Sequence, residues 1–228
     1  MPTLNEASVL EPTLAGLCGQ DGLHELVVVD GGSGDSTRTV VDASRPAFDR
    51  RGIALAWLEG PEGRAAQLNA GAARASGDIL LFIHADTHLP EGAVRAVAEA
   101  IRGGDLGGAF RHRFSQTTLG LAVISNWVNF RSRLTHVYFG DQAIFVRRDE
   151  FGRMEGFRPM PIMEDLEFTS RLRGRGRTRL LPLSVRTSAR RFESSGVGAT
   201  CARMVWLRTA YRLGVDPVTL KRHYPEVR

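Results

Sequence analysis

The stretch that most constrains this chain is an apolar run that ends abruptly in polar residues, Asp78 to Pro90 (DILLFIHADTHLP). Residues 79–83 are continuously apolar rather than alternating, which predicts a strand buried on both faces, as in a parallel sheet covered by helices. Such a strand carries Asp86 to the carboxyl edge of the sheet, where open α/β sheets bind ligands. A carboxylate there can hold a hard divalent cation against a phosphate, or it can simply end the strand or cap the next helix.

The remaining chain alternates predicted strands with predicted helices. In the first half we predict strands at 24–30, 53–58 and 78–83 and helices at 37–48, 62–75 and 90–102. In the second half we predict strands at 106–114, 140–146 and 179–187 and helices at 119–134, 164–173 and 198–213. Short connections between such elements are typical of the α/β class, with a doubly wound, mostly parallel sheet flanked by helices.

Composition narrows the class of partner. The 228 residues carry a formal net charge of +5 and a pI of about 10.0, and much of the arginine lies after residue 100. This asymmetry indicates an anionic partner: a phosphorylated ligand, a nucleic acid or a membrane surface. No nucleic-acid-binding signature accompanies the charge, so we expect no nucleic-acid partner. Cys18 and Cys201 are typical of free thiols in a cytoplasmic protein, and we expect neither a signal peptide nor a membrane span.

The predicted strand at 24–30 also ends in a carboxylate, Asp30, followed by a glycine-rich turn (GGSGDST). The turn matches a dinucleotide-binding motif only in part, and Asp30 and Asp35 would repel a pyrophosphate placed between them. A carboxylate at this position suits a base or ribose, since it accepts hydrogen bonds from ring N–H and hydroxyl groups. The alternative is a turn acid that bonds its own backbone.

Two further segments carry chemistry at the start of a predicted helix. Arg64 and Gln67 share one helical face in GRAAQLNAG, where they can contact a phosphate or base, although a solvated arginine is the commoner outcome. Glu164 and Asp165 follow Pro161 at a helix start, where acids are favoured electrostatically. A carboxylate there can also serve as a general base that takes a proton from an attacking hydroxyl.

Six segments in order resemble family 2 glycosyltransferases, most closely their short bacterial members. They are PTLNEA (2–7), VVVDGGSGDST (27–37), GRAAQLNAG (63–71), ILLFIHADT (79–87), GDQAIFVRRDEF (140–151) and MEDLEF (163–168). The resemblance covers nearly the whole chain. It implies the GT-A fold and inverting transfer of a sugar from a UDP- or GDP-type nucleotide diphosphate donor to an unidentified hydroxyl acceptor. It also implies one domain over 1–228, with a nucleotide-binding half (1–104) and an acceptor half (105–228) that ends in an amphipathic helix.

The resemblance assigns a role to each matching position. On the donor side it places Thr3 and Glu6 by the nucleotide, Asp30 on the base, Arg64 and Gln67 along the donor site, and Asp86 on Mg²⁺ or Mn²⁺. Asp165 becomes the catalytic base. The acceptor side comprises Gly140, Asp141, Gln142, Glu164 and Arg191, the last from a loose match to an arginine-aromatic motif. A single displacement needs one base and no protein nucleophile.

The chain departs from the family pattern in two places. Where the family usually has two metal-binding acids separated by one residue, this chain has His84-Ala85-Asp86. We therefore expect Asp86 to bind the metal, with most of the ligands supplied by the diphosphate. We expect His84 to be structural. The first central strand of the sheet, which normally precedes the PTLNEA-like motif, is missing from the chain. We therefore expect the natural protein to begin upstream, because neighbouring strands would otherwise lose ladder partners and buried apolar area.

Two rival functions remain open. A nucleotidyltransferase shares the fold but needs a glycine-rich, basic loop after the first strand, and PTLNEA is neither. A catalytically idle module that binds nucleotide or a membrane surface is favoured by the lost first acid at 84 and by the arginines around Trp206 and Tyr211 in the closing helix. Such a helix usually packs its apolar face on the domain, so peripheral contact with the inner membrane face is the less common outcome.

Overall fold

The structure is a computed structural model and describes residues 1–224, apart from the side chains of 194 and 195. The first part of the chain forms a parallel three-stranded sheet in the order β1-β2-β3. Its strands are β1 (Pro2–Thr3), β2 (Glu25–Asp30) and β3 (Ala54–Glu59), and its helices are α1 (Ala7–Cys18), α2 (Thr37–Arg50) and α3 (Arg64–Arg74).

The second sheet has five strands in the order β4-β7-β6-β8-β5. These strands are β4 (Ile79–Phe82), β5 (Thr87–His88), β6 (Gly107–Phe114), β7 (Ile144–Arg147) and β8 (Thr178–Thr187). Only β6 and β8 pair in parallel, whereas β4 with β7, β6 with β7 and β5 with β8 are antiparallel. The helices are α4 (Ala93–Arg102), α5 (Leu119–Thr135), α6 (Arg148–Arg153), α7 (Glu164–Arg173), α8 (Arg190–Ser195), α9 (Val197–Arg212) and α10 (Pro217–Lys221).

The predicted α/β class is confirmed, and three details need correction. The first strand is not missing altogether: Pro2 and Thr3 pair in parallel with Val29 and Asp30 of β2. Parallel pairing is confined to the first sheet and the β6–β8 pair, because β4, β5 and β7 run antiparallel to their partners. The strand predicted at 140–146 begins only at Ile144, since residues 140–142 form a 3₁₀ turn.

Buried side chains explain why these elements assemble. The last five residues of β2 are buried, which a continuous apolar strand covered on both faces requires. α1 and α2 pack on this sheet through Leu10, Leu14 and Phe48. Four phenylalanines from β4, α6, α7 and the segment between those helices stack beneath the second sheet: Phe82, Phe151, Phe157 and Phe168.

Helix α3 ties the two parts of the chain together. Its Asn69 side chain donates to the carbonyl of Phe157 (2.8 Å) and accepts from the amide of Phe157 (2.9 Å). The same helix contacts β2 through Gln67 and the start of α7 through Arg64. Among residues 1–224 no helix combines the length and apolar character that a bilayer span requires. Both cysteines are free; Cys18 is buried and Cys201 is only partly so.

Candidate active site

A cavity of about 470 Å³ opens at the carboxyl ends of β2 and β3. Its lining comprises Asp30, Gly32, Ser33, Asp35, Arg38, Trp57, Glu59 and Gly60. The Arg38 guanidinium carbon lies 5.8 Å from the Trp57 ring centroid, and Arg38 pairs with Glu59 at 3.1 Å. The indole N–H of Trp57 is buried and finds no hydrogen-bond acceptor in the described part of the chain. A flat ring with a free donor, a cation and several carboxylates is an environment suited to a nucleoside.

Asp30 is placed at this cavity as the sequence predicts, but its carboxylate is already occupied. Oδ2 accepts from the amides of Gly32 (3.0 Å) and Ser33 (2.8 Å), and Oδ1 accepts from the hydroxyls of Ser33 and Thr3. These four hydrogen bonds match the acceptor capacity of a carboxylate. In this structure Asp30 therefore bonds the backbone of its own turn, and it fixes the loop that lines the cavity.

Thr3 and Gln67 are not among the residues that line the cavity, and their contact with the donor stays a prediction. Both side chains are buried, at 2% and 5% exposure. The Gln67 amide nitrogen donates to the carbonyls of Thr3 and Val29, both at 2.9 Å. It uses both N–H groups to join β1, β2 and α3, and so acts on the site through the backbone.

Glu6 and Asp86 meet at a single cation, the guanidinium of Arg190. Nη2 of Arg190 lies 3.1 Å from Glu6 Oε2 and 3.2 Å from Asp86 Oδ2. Burial raises the pKa of Glu6, and the Arg190 guanidinium opposes that rise. Two predicted donor-site carboxylates are therefore brought together, and the residue that joins them comes from the start of α8.

His84, Gly140 and Asp165 form the next group. The amide of Gly140 donates to Asp165 Oδ2 at 2.7 Å, and the amide of Leu166 donates to Oδ1 at 2.7 Å. A Cβ on residue 140 would lie 2.8 Å from His84 Nε2, so only glycine allows this close approach of backbone and ring. Burial lowers the pKa of His84, and the nearby Arg64 guanidinium lowers it further. A neutral His84 beside the catalytic candidate fits its predicted structural role.

Arg64 reaches across to the start of α7. Its Nη1 lies 3.2 Å from Oε1 of Glu164, whose side chain is 2% exposed, whereas the Arg64 side chain is 37% exposed. The Glu164 carboxylate raises the pKa of Arg64, which keeps the guanidinium charged. Burial raises the pKa of Glu164, and Arg64 counters that effect. The pair holds a positive charge at the site while leaving part of the guanidinium exposed.

The predicted acceptor-side residues Asp141 and Gln142 differ in exposure and in hydrogen bonding. Asp141 is 42% exposed, with Oδ2 3.8 Å from His112 Nε2 and with Oδ1 lacking a hydrogen-bond partner among the described residues. Gln142 is fully buried, with its oxygen accepting from the Phe139 amide and its nitrogen donating to the Phe110 carbonyl. Its place on the acceptor side stays a prediction.

Arg191 stacks on Tyr224, with its guanidinium carbon 4.2 Å from the ring centroid. Arg190, its neighbour in the chain, reaches the site carboxylates of Glu6 and Asp86.

Unusual backbone conformations border the site. Among the described residues five non-glycine residues have positive φ, and three adjoin site residues: Asn5 before Glu6, Ala143 after the 140–142 turn, and Met163 before Glu164. Such conformations cost of order 1–3 kcal/mol each and persist where the surrounding structure fixes them, commonly at functional sites.

The donor atoms present fit a divalent metal only in part. Glu6 and Asp86 supply hard carboxylate oxygens of the kind that Mg²⁺ and Mn²⁺ prefer, and they already converge on one positive charge. Within residues 1–224 no group of three or more histidine, cysteine, aspartate or glutamate side chains is arranged to hold a metal ion. A metal here needs most of its ligands from a bound diphosphate.

Sequence reasoning missed three contributors to this region. Trp57 lies in a strand whose apolar pattern indicates only core, and Arg38 has no motif. The position of Arg190 depends on a contact with Glu6 that spans 184 residues. Only the arginine-aromatic segment at 190–192 gave a signal, and it did not distinguish Arg190 from Arg191.

The architecture and the site geometry define an α/β protein of the GT-A glycosyltransferase fold. The structure superposes on the mannosyltransferase PcManGT from Pyrobaculum calidifontis in complex with GDP-Man and Mn²⁺, with a TM-score of 0.67, 22% identity and coverage of 100% of this chain and 64% of that chain. It also matches the glucosyl-3-phosphoglycerate synthase from Mycobacterium tuberculosis in complex with Mn²⁺, UDP and phosphoglyceric acid. That match has a TM-score of 0.59 and 19% identity and covers 94% and 77% of the two chains.

The family follows from the sequence comparison. The profile described as "Glycosyl transferase family 2" matches residues 1–163, so the chain belongs to this family. A PGL/p-HBAD biosynthesis glycosyltransferase of Mycobacterium bovis (strain BCG / Pasteur 1173P2) is 34% identical over 161 residues, covering 67% of this chain and 59% of the relative. The chain thus spans less than two thirds of the length of that relative.

Proposed function

We propose that this protein transfers a sugar from a UDP- or GDP-type nucleotide diphosphate donor to an acceptor hydroxyl with inversion at the anomeric carbon. The observation that carries the proposal is the contact of Asp165 with Gly140, against His84, at the end of the strand that also delivers Asp86. The Asp165 carboxylate is thereby held near His84, two residues before Asp86 in the chain. The ligands bound in the structural neighbours, GDP-Man and UDP, support a donor of this class.

Asp165 serves as the general base in this proposal. Each of its oxygens accepts one backbone N–H, which leaves lone pairs free to accept the proton of an acceptor hydroxyl. The deprotonated oxygen attacks the anomeric carbon from the face opposite the leaving diphosphate. Arg64 supplies a fixed positive charge near the reacting centre, and Glu164 orients it.

Asp86 and Glu6 are the residues that would hold Mg²⁺ or Mn²⁺, with the diphosphate completing the ligand set. Bound there, the ion would neutralise charge that develops on the leaving diphosphate. Arg190 already places a cation between the two carboxylates and can contact the same diphosphate oxygens.

The test measures donor binding and turnover separately. Thermal stability is recorded with UDP- and GDP-sugars, with and without Mn²⁺, and the anomeric configuration of the product is read by NMR. Asp165→Asn is expected to bind donor as the parent does while turnover falls, and Asp21→Asn, whose carboxylate is 95% exposed, serves as the matched control. Donor binding without transfer to any hydroxyl acceptor would favour the idle binding module instead. A retained anomeric configuration would exclude the single displacement.

The same chain presents a surface suited to a membrane, and we propose that it rests on the inner face of an anionic bilayer. We define the apolar face as the exposed stripe of α5 (Leu119, Val123, Trp127, Phe130 and Leu134) together with Trp206 and Leu213 beside it. These side chains are 50–85% exposed. Their α5 members recur every three or four residues, so they share one side of the helix.

The occupant of the apolar face is inferred from charge. α5 contains two arginines and α9 three, and neither helix contains an aspartate or a glutamate. The two helices are neighbours, because a Cβ on Gly120 would meet Val197 at 3.4 Å and Val128 shares a core cluster with Leu207. Aromatic and apolar side chains flanked only by positive charge match an anionic lipid interface.

Co-sedimentation with vesicles tests this contact. Vesicles of phosphatidylglycerol and phosphatidylcholine are expected to bind the protein, vesicles of phosphatidylcholine alone to bind it weakly, and Val123→Ser with Trp127→Ser to reduce the binding. Size-exclusion chromatography with light scattering on the same samples checks the competing occupant. A stable dimer that the double variant dissociates, with no lipid binding, would show that a second copy covers the face.

A further inference from the structure

Two arginines from different helices stack on one phenylalanine at the inner border of α5 and α9. The guanidinium carbons of Arg131 and Arg208 each lie 3.9 Å from the ring centroid of Phe139. Phe139 is 5% exposed and precedes Gly140, the residue whose amide contacts Asp165. The two positive charges are therefore fixed next to the proposed base by the backbone that holds it.

Among the described residues, neither of these two guanidinium groups forms an ion pair of the kind that several other arginines in this half form with buried carboxylates. Nη2 of Arg131 donates to Ser132 Oγ at 3.1 Å, whereas its buried Nε and Nη1 have no hydrogen-bond partner in the described residues. Neither Arg131 nor Arg208 lies within ion-pair distance of a carboxylate in the described part of the chain. Elsewhere in this half, buried acids each hold two arginines: Asp105 with Arg177 and Arg179, Glu150 with Arg153 and Arg175, and Glu167 with Arg158 and Arg171.

The pKa shifts of Arg131 and Arg208 are those expected for two partly buried positive charges without a paired anion. Burial lowers the pKa of Arg131 to about 10, and the charges of Arg208 and Arg212 add to that effect. Burial likewise lowers the pKa of Arg208. Like charges held together away from water are unfavourable unless an opposite charge joins them. Asp141 and Asp165 act on both guanidinium groups only from beyond ion-pair distance.

We propose that Arg131 and Arg208, stacked on Phe139, form a subsite for the phosphate group of the acceptor, so that the acceptor is a phosphate ester bearing a free hydroxyl. This rests on the proposed function, because it names the substrate class that Asp165 deprotonates. A phosphate accepts several charge-assisted hydrogen bonds from planar guanidinium groups and would balance the two positive charges that no carboxylate in the described residues pairs. The phosphate would anchor the acceptor while its hydroxyl reaches Asp165.

Phosphate affinity, measured calorimetrically without donor, tests the subsite independently of catalysis. The probes are inorganic phosphate and glycerol 3-phosphate. Arg131→Gln and Arg208→Gln are each expected to weaken binding about tenfold or more, because a charge-assisted hydrogen-bonding partner is lost. Arg133→Gln, at an exposed position of the same helix, is the matched control and should leave this binding intact. Equal affinity in the parent and in both stacked-arginine variants would overturn the subsite.

Two additional readouts separate the possible explanations. If Arg131 is held for an anion, Arg131→Gln should raise the melting temperature without phosphate by about 2 °C or more, and phosphate should stabilise only the parent. A lowered melting temperature with an unchanged phosphate response would assign Arg131 a purely structural role. Vesicles with phosphatidylglycerol are the lipid arm: competition with glycerol 3-phosphate for the subsite indicates a lipid phosphate, and its absence indicates a soluble ester. Phosphate binding without transfer would leave the subsite standing and reject the glycosyltransferase proposal.

Discussion

The loop after β2 and the helix pair α5–α9 differ in how far their polar groups are paired by hydrogen bonds within the protein. In the loop, Asp30 accepts four hydrogen bonds, and Gln67 behind it uses both of its N–H groups. In the helix pair, Arg131 leaves two guanidinium nitrogens unpaired within the described structure, and large apolar side chains face solvent. In the first region Asp30 and Gln67 are satisfied by the protein itself, whereas in the second region the two arginines carry positive charge that the proposed phosphate would balance.

This difference separates two ways of building a binding site. A preorganised loop loses little conformational freedom when a nucleotide enters, so its contacts convert efficiently into affinity. A surface with unpaired charge and exposed apolar area instead gains stability when its partner binds. The donor side should therefore be sensitive to loss of internal hydrogen bonds, and the acceptor side to the presence of ligand.

The largest expected effect lies at the border of the two regions. Asp165→Asn should lower kcat by about 10²–10⁴, because general base catalysis is lost while the amide oxygen still accepts from Gly140. The donor dissociation constant should stay within about twofold of the parent value, since the side chain binds no donor group. Steady-state kinetics and calorimetry measure the two quantities. Loss of donor binding together with kcat would place Asp165 in the donor site instead.

Substitution of Gln67 would remove two of the internal hydrogen bonds on the donor side. Gln67→Ala should lower the free energy of unfolding by about 2–4 kcal/mol, because two buried carbonyls lose a donor and a cavity forms. Urea denaturation measures the loss. Gln116→Ala removes one acceptor, for the amide of Ala189, at an exposed position, and should cost about 0.5–1 kcal/mol. Similar losses in both variants would contradict the preorganised donor side.

Arg190 offers a smaller test, on the cation between Glu6 and Asp86. In Arg190→Ala the two carboxylates lose their shared positive charge, so Mn²⁺ should bind up to about tenfold more tightly in the absence of donor. Mn²⁺ relaxation enhancement reports the affinity directly. Arg95→Ala, at a side chain of α4 that is 76% exposed, is the matched control. An unchanged Mn²⁺ affinity would mean that metal and Arg190 do not share these carboxylates.

The smallest expected effect is a pH dependence of the free energy of unfolding that arises from His84. Because burial lowers its pKa, with Arg64 adding to the effect, the unfolded chain binds a proton at His84 before the folded protein does. Stability should therefore fall as the pH drops from about 6.5 toward the folded-state pKa, by at most about 1.4 kcal/mol per pH unit. His84→Gln should reduce that slope, and His24→Gln, at an exposed position, should not. Equal slopes would show that His84 protonates freely in the fold.

The sequence predicted the elements that depend on local pattern. The apolar run of β4, the acids that end β2 and follow β4, and the helix that opens with Glu164 are periodic or punctuated segments, and all three are found. The strand predicted at 140–146 was wrong in its first part. The apolar residues from Ile144 onward form the strand, whereas Gly140, Asp141 and Gln142 form a 3₁₀ turn in which Gly140 contacts Asp165 and Gln142 is buried.

Long-range contacts set the limit of that reasoning. Gln67 and Thr3 read as donor-site residues by position, yet hydrogen bonds that no local pattern encodes draw both into the interior. The stack of Arg131 and Arg208 on Phe139 joins two helices and a turn, and each arginine alone is indistinguishable in sequence from a solvated one. The roles of Asp165, Asp86 and Asp141 remain predictions; Asp165→Asn tests the first, and Arg190→Ala bears on Asp86 through their shared contact.

The bond between Arg190 and Glu6 also bears on how the protein is made. The two residues are 184 positions apart, so a growing chain completes the first sheet long before the partner of Glu6 is synthesised. Closing so long a loop is entropically expensive, and contacts of this separation form late in folding. A nascent chain that stops before α8 exposes Glu6 and Asp86 as uncompensated neighbours. The contact of Arg190 with Glu6 can therefore form only after α8 has been synthesised.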